Sequence, residues 1–129
     1  MKNRPLLIIL FSVILLLSVS SCKKNIEDKI NGTWIKANVE DIDSGEFDKW
    51  RFDDGYIYIV HYKTTGSHID TISYSFGEYV IKTTHFKRIL SVTKSSGPIV
   101  GDWRIDKLNK KYLIIYRDIY IDYLEFTKE

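Results

Sequence analysis

The chain of 129 residues contains a single cysteine, so no disulfide can form within it and packing alone must hold its fold. Proline is almost absent. Only Pro5 and Pro98 occur, and between them nothing interrupts a strand ladder by lacking an N–H. Histidine is scarce as well. His61, His68 and His85 show neither H-x-x-x-H nor H-E-x-x-H spacing, and no second thiol exists to complete a mixed metal site. No nucleophile-elbow, P-loop or dinucleotide fingerprint is present. The run Asp41-Ile42-Asp43-Ser44-Gly45-Glu46 begins like a calcium loop. It lacks the later ligands and the central glycine, so it reads as a solvated turn. No catalytic residue, metal ligand or cofactor is therefore assigned, and the sequence does not read as that of an enzyme.

Excess charge is missing too. Of 19 basic residues, Lys2 and Arg4 lie before residue 22, whereas all 17 acidic residues lie after it. From residue 22 onward the formal charge is zero with histidine neutral. A nucleic-acid partner, which calls for a basic face, is not expected. A polybasic attraction to anionic lipid is not expected either.

What is present begins at the N-terminus. Lys2 and Arg4 precede the apolar run Leu6–Leu17, broken only by Ser12. That run is short of the roughly 20 apolar residues that span a bilayer. It fits the apolar region of an export signal, about 7–15 residues. Val19-Ser20-Ser21-Cys22 then resembles the lipobox of bacterial lipoproteins, an aliphatic and two small residues before a cysteine. The resemblance implies that residues 1–21 are a removed signal peptide and that Cys22 becomes the lipid-modified N-terminus. It also implies an outer-membrane lipoprotein of the cell envelope. Such a cysteine carries several acyl chains, enough for a permanent membrane anchor. Residues 22–29 read as a polar tether, and residues 30–129 as one domain, long enough to bury a core without staples.

Strand formers dominate from Ile30 onward, and no segment sustains helical periodicity. Alternation at period two, punctuated by turn residues, predicts strands near 33–39, 47–53, 56–63, 68–76, 79–84, 88–94, 100–107, 111–117 and 119–127. Asp54-Gly55 predicts a tight hairpin. Phe76-Gly77-Glu78 predicts a bulge or bend between two strands. Eight or nine short sequential strands joined by short turns favour an all-β, antiparallel up-and-down barrel, because closure removes exposed edges. A two-sheet sandwich is the alternative.

Asn31-Gly32-Thr33-Trp34 resembles the G-x-W opening of lipocalins. Trp50-Arg51-Phe52-Asp53-Asp54-Gly55-Tyr56 resembles the W-x-F-x-x-D-G hairpin of lipocalin-like domains in bacterial lipoproteins. The G-x-Y at Gly77-Glu78-Tyr79 and the ending Leu124-Glu125-Phe126-Thr127-Lys128 are similar to further strands of those domains. The resemblance implies a barrel of about eight strands whose closed end is plugged by Trp34, with Gly32 letting the chain pass beneath. It also implies a late arginine, Arg104 or Arg117, packed on Trp34.

Nine tyrosines and three tryptophans are many for this length. Tyr56, Tyr58, Tyr62, Tyr74 and Tyr79 are candidates to line a cavity for a small apolar or amphipathic ligand, since such rings join a flat apolar body to a polar tip. An eight-stranded barrel is just wide enough either to hold one small ligand or to be filled by side chains. A solid barrel instead implies an interaction or inhibitor module of the cell envelope, whose protein partner the sequence does not identify. Metabolic labelling with palmitate is expected to mark the wild-type chain and not Cys22→Ala. Equal labelling of the two would remove the anchor.

Overall fold

The period-two alternation is realised as a single antiparallel sheet that closes on itself. The computed structural model describes residues 4–37, 44–119 and 122–129. A helix, α1 (Arg4–Ile30), precedes eight strands. These are β1 (Gly32–Lys36), β2 (Glu46–Asp53), β3 (Tyr56–Thr65), β4 (His68–Thr84), β5 (Lys87–Ser95), β6 (Gly101–Leu108), β7 (Tyr112–Arg117) and β8 (Asp122–Lys128). Each strand pairs with the next, and β8 returns to β1, where Trp34 stands opposite Lys128. The expected up-and-down barrel is borne out. Residues 38–39 and 120–121, expected at strand ends, lie outside the described residues.

The hairpins follow their turn chemistry. Asp54 and Gly55 both take positive φ, 43° and 87°, which matches the right-handed twist of the strands they join. The stretches 68–76 and 79–84, expected as two strands, are one strand, β4. The irregularity is taken up instead by β5, where Thr93 is the extra residue as the register slips between Glu78 and Tyr79. Gly77 serves close approach. A Cβ there would lie 2.5 Å from the Lys94 carbonyl oxygen and 3.0 Å from the Ile57 side chain.

Among the described residues β4 pairs with β5 only from Gly77 onward. The outer part of the β3–β4 hairpin therefore projects beyond the ring, exposed from Lys63 to Tyr74.

Inward positions build the core. Trp50 and Phe52 of β2, Ile57 of β3, Tyr79 and Ile81 of β4, Leu90 and Val92 of β5, Trp103 and Ile105 of β6, Leu113 and Ile115 of β7 and Phe126 of β8 are all buried. The segment expected as a polar tether is instead the last turns of α1. Ile26 and Ile30 sit one helical turn apart and both join this core, at the closed end. Among the described residues no helix is long and apolar enough to cross a membrane.

The end of α1 leaves carbonyls without intrahelical partners, and the barrel supplies donors. The Trp34 indole N–H donates to the Ile30 carbonyl at 2.6 Å. The Lys128 ammonium donates to the carbonyls of Lys29 and Asn31, at 3.2 and 2.8 Å. That ammonium also lies 5.0 Å from the Trp34 ring centroid. Gly32 makes room for it. Its φ is +118°, and a Cβ there would come within 2.9 Å of Lys128 Cε. The expected arginine is thus corrected. Lys128 covers Trp34, because its strand is the hydrogen-bonded neighbour of β1 at that position. Arg117 stacks on Trp103 and Arg104 on Tyr116.

Ile30→Ala is expected to destabilise the barrel by about 2–5 kcal/mol in denaturant unfolding, as for other buried aliphatic truncations. A loss below about 0.5 kcal/mol, as at an exposed position, would mean that the helix end is not part of the core.

Candidate functional site

The interior is filled at one end and hollow at the other. Towards the closed end Trp34, Phe52, Ile57, Leu113, Ile115 and Phe126 are almost wholly buried. Towards the mouth a cavity of about 300 Å³ remains. Its apolar wall comes from Trp50 of β2, Ile59 of β3, Ile99 of the β5–β6 loop, Trp103 of β6 and Leu124 of β8. Ser75 of β4 adds a hydroxyl, and two ion pairs, Lys36–Asp48 and Arg117–Asp122, stand at the rim.

Arg117 organises one side of this mouth. Its guanidinium lies 4.0 Å from the Trp103 ring centroid. It hydrogen-bonds Asp122 across the β7–β8 turn and donates to the carbonyls of Pro98 and Val100, at 3.3 and 3.5 Å. It therefore ties the β5–β6 loop to the start of β8. The Trp103 indole N–H donates to the Ile99 carbonyl at 2.9 Å in the same loop. The Trp50 indole N–H is different. It is buried and has no hydrogen-bond partner among the described residues.

The other side of the rim is ionic. Glu46 and Asp48 share the inward face of β2 with Trp50, and His61 shares that of β3 with Ile59. His61 Nδ1 is 2.6 Å from Asp48 Oδ1, and Nε2 is 3.2 Å from Glu46 Oε2. Lys63 donates to Glu46 at 3.2 Å. The hydrogen bond to Asp48, and then the one to Glu46, raise the His61 pKa above its ordinary 6.5 against the desolvation that opposes them. The Lys63 hydrogen bond, then that of His61, lower the pKa of Glu46 below its ordinary 4.5. Among the described residues no three His, Cys, Asp or Glu side chains are grouped to hold a metal ion. What the mouth offers chemically is apolar surface, an N–H without a partner among the described residues and paired charges.

The sequence-predicted residues fall in three places. Tyr79 points inward but at the closed end, where it packs edge-on against Phe52 and its hydroxyl donates to Asn31 at 3.2 Å. Burial pushes its pKa up to about 12. Tyr56, Tyr58, Tyr62 and Tyr74 do not line the interior. The pairing of Trp50 with Ile59 and of Phe52 with Ile57 turns the odd residues of β3 inward and its tyrosines outward. Outside, Tyr58, Tyr62 and Tyr74 are brought together with Lys49, Arg51 and Val60 along an open groove of about 390 Å³. Tyr56 stacks on Phe76 beside it, with centroids 5.6 Å apart. Gly32 and Trp34 are at the closed end, as described above. The backbone of Cys22 lies in α1, and its side chain lies outside the described residues. So do Asp41 to Asp43 of the calcium-like run.

Sequence reasoning missed the mouth residues Trp50, Ser75, Arg117 and Asp122 as a set, and Lys128 as the cover of Trp34. Only Lys128 had a local signal, the closing L-x-F-x-K. Comparison with known protein families, curated proteins and solved structures finds no match.

The rim makes stability depend on pH. Because the folded His61 pKa is raised, its stabilisation is complete below 6.5 and lost as pH rises through the folded value. Glu46 acts in the opposite sense, stabilising above 4.5 and losing that effect as pH falls through its lowered value. Urea midpoints are expected to fall as pH rises from 6.5, and His61→Gln to flatten that slope. An unchanged slope in the variant would remove His61 as its source.

Proposed function

We propose that this chain is a membrane-anchored, lipocalin-like lipoprotein that holds a small amphipathic molecule in the open end of its barrel. The hollow mouth carries this reading. Ligand pockets combine apolar walls with a few convergent polar groups, and this cavity, at the small end of their size range, does so. Trp50, Ile59, Ile99, Trp103 and Leu124 provide the walls, and Ser75 with the two rim ion pairs provides the polar groups. Binding there is reversible burial of apolar surface, with no bond made or broken. The anchor rests on the lipobox resemblance at Cys22, and the lipocalin-like assignment on the motifs from Gly32 to Lys128 together with the closed meander.

A second reading is favoured by the outer groove. Tyr56, Tyr74 and Phe76 expose large rings there, and exposed apolar patches mark interaction sites. In that case the outside of the barrel docks a protein of the cell envelope and the mouth is idle.

Native mass spectrometry of the protein, purified from its host without denaturation, separates the two. The expected result is a reproducible small adduct that Ile59→Trp removes by filling the mouth and that Tyr74→Ser leaves in place. An adduct lost in Tyr74→Ser and kept in Ile59→Trp would move the site to the outer groove. A bare mass, together with no uptake of a fluorescent apolar probe, would end the carrier reading.

A further inference from the structure

The three tryptophans of the barrel are all buried, and two have a hydrogen-bond acceptor within the fold. Trp34 donates to the Ile30 carbonyl and Trp103 to the Ile99 carbonyl. Trp50 is 3 % exposed, yet its N–H has no acceptor among the described residues. A buried donor left without an acceptor is costly, so native structures rarely retain one without a reason. Trp50 also forms part of the wall of the mouth cavity.

We infer that the molecule held in the mouth presents an uncharged hydrogen-bond acceptor, a carbonyl or ether oxygen, to the indole N–H of Trp50. This rests on the reading of the mouth as a ligand site. The absence of charge follows from the rim. Lys36 is paired with Asp48 at 3.5 Å. Arg117 is engaged by Asp122, two backbone carbonyls and the face of Trp103. A ligand carboxylate entering the cavity would meet cations already matched by carboxylates, and its own desolvation would go uncompensated. A ligand ammonium meets the same balance with the signs reversed. A neutral acceptor needs only the donor that Trp50 supplies. The apolar remainder of the ligand lies against Ile59, Ile99, Leu124 and the two indoles. Such a molecule is an ester, amide, ketone or ether with a compact apolar body, not a free fatty acid.

The test compares two fluorescent naphthylamines, one bearing an acyl carbonyl and one without it. Both are titrated into the full chain in bilayer nanodiscs, with empty discs as the blank. The expected result is that the wild type binds the acyl probe on the order of tenfold more tightly, as for one net hydrogen bond. Trp50→Phe keeps an aromatic ring and removes the donor. It is expected to abolish the preference between the two probes, whatever it does to the affinity they share. A preference that survives in Trp50→Phe, or equal binding of both probes by the wild type, overturns the inference and leaves the carrier reading standing. Failure of both probes to bind the wild type, or binding that Ile59→Trp does not weaken, overturns the carrier reading and the inference with it. Indole N–H resonances of the wild-type protein give an independent readout that needs no variant to fold. The acyl probe is expected to shift one of them and the plain probe none, and no differential shift overturns the inference.

Discussion

The barrel closes where the first and last strands meet, at the pairing of Trp34 with Lys128, and much of the structure depends on that contact. A meander of eight strands leaves two edges unless its ends find each other. Here the pairing also supplies the donors that α1 needs at its C-terminus. One ammonium covers an indole and bonds two carbonyls, and the indole beneath it bonds a third. Gly32 permits this by its positive φ and by leaving room for the lysine stem. Helix end, first strand and last strand are thus fixed as one unit.

With the closed end so filled, the remaining freedom lies at the mouth. There the loops leave the strands, and the side chains alternate between charged pairs and large rings. Arg117 stiffens one side through the β5–β6 loop, and the His61 cluster stiffens the other. Between them lies the cavity, with Ile99 of the β5–β6 loop in its wall. The base is packed and the opening is rimmed by polar groups, the asymmetry on which the carrier reading rests.

The strand pattern was legible in the sequence because half-buried strands advertise themselves by alternation and by turn residues such as Asp54-Gly55. Three things were not. In β3 both faces carry apolar residues, so alternation alone does not say which points inward, and only the pairing with β2 decides it. The four tyrosines of β3 and β4 were accordingly placed on the wrong side. Ile26 and Ile30 sit at helical spacing inside a tract of lysines and acids, and that composition masks the signal. The mouth cavity is assembled from seven strands and a loop, so no local window contains it. Gly77 shows a subtler ambiguity. Glycine marks a close approach as readily as a bend, and the sequence does not tell the two apart.

The docked end of α1 also sets a direction of traffic. Ile30 stands eight residues after Cys22, about 12 Å along a helix. On the lipoprotein reading, removal of residues 1–21 leaves a helix too short to persist alone. Its seat on the barrel keeps it folded, so the anchor is a strut and not a leash. The closed end then faces the bilayer and the mouth faces away, with the projecting β3–β4 hairpin farthest from the lipid. On the carrier reading, that orientation would have cargo exchanged with the aqueous side or with whatever stands opposite the membrane, and not drawn sideways out of the leaflet that holds the anchor.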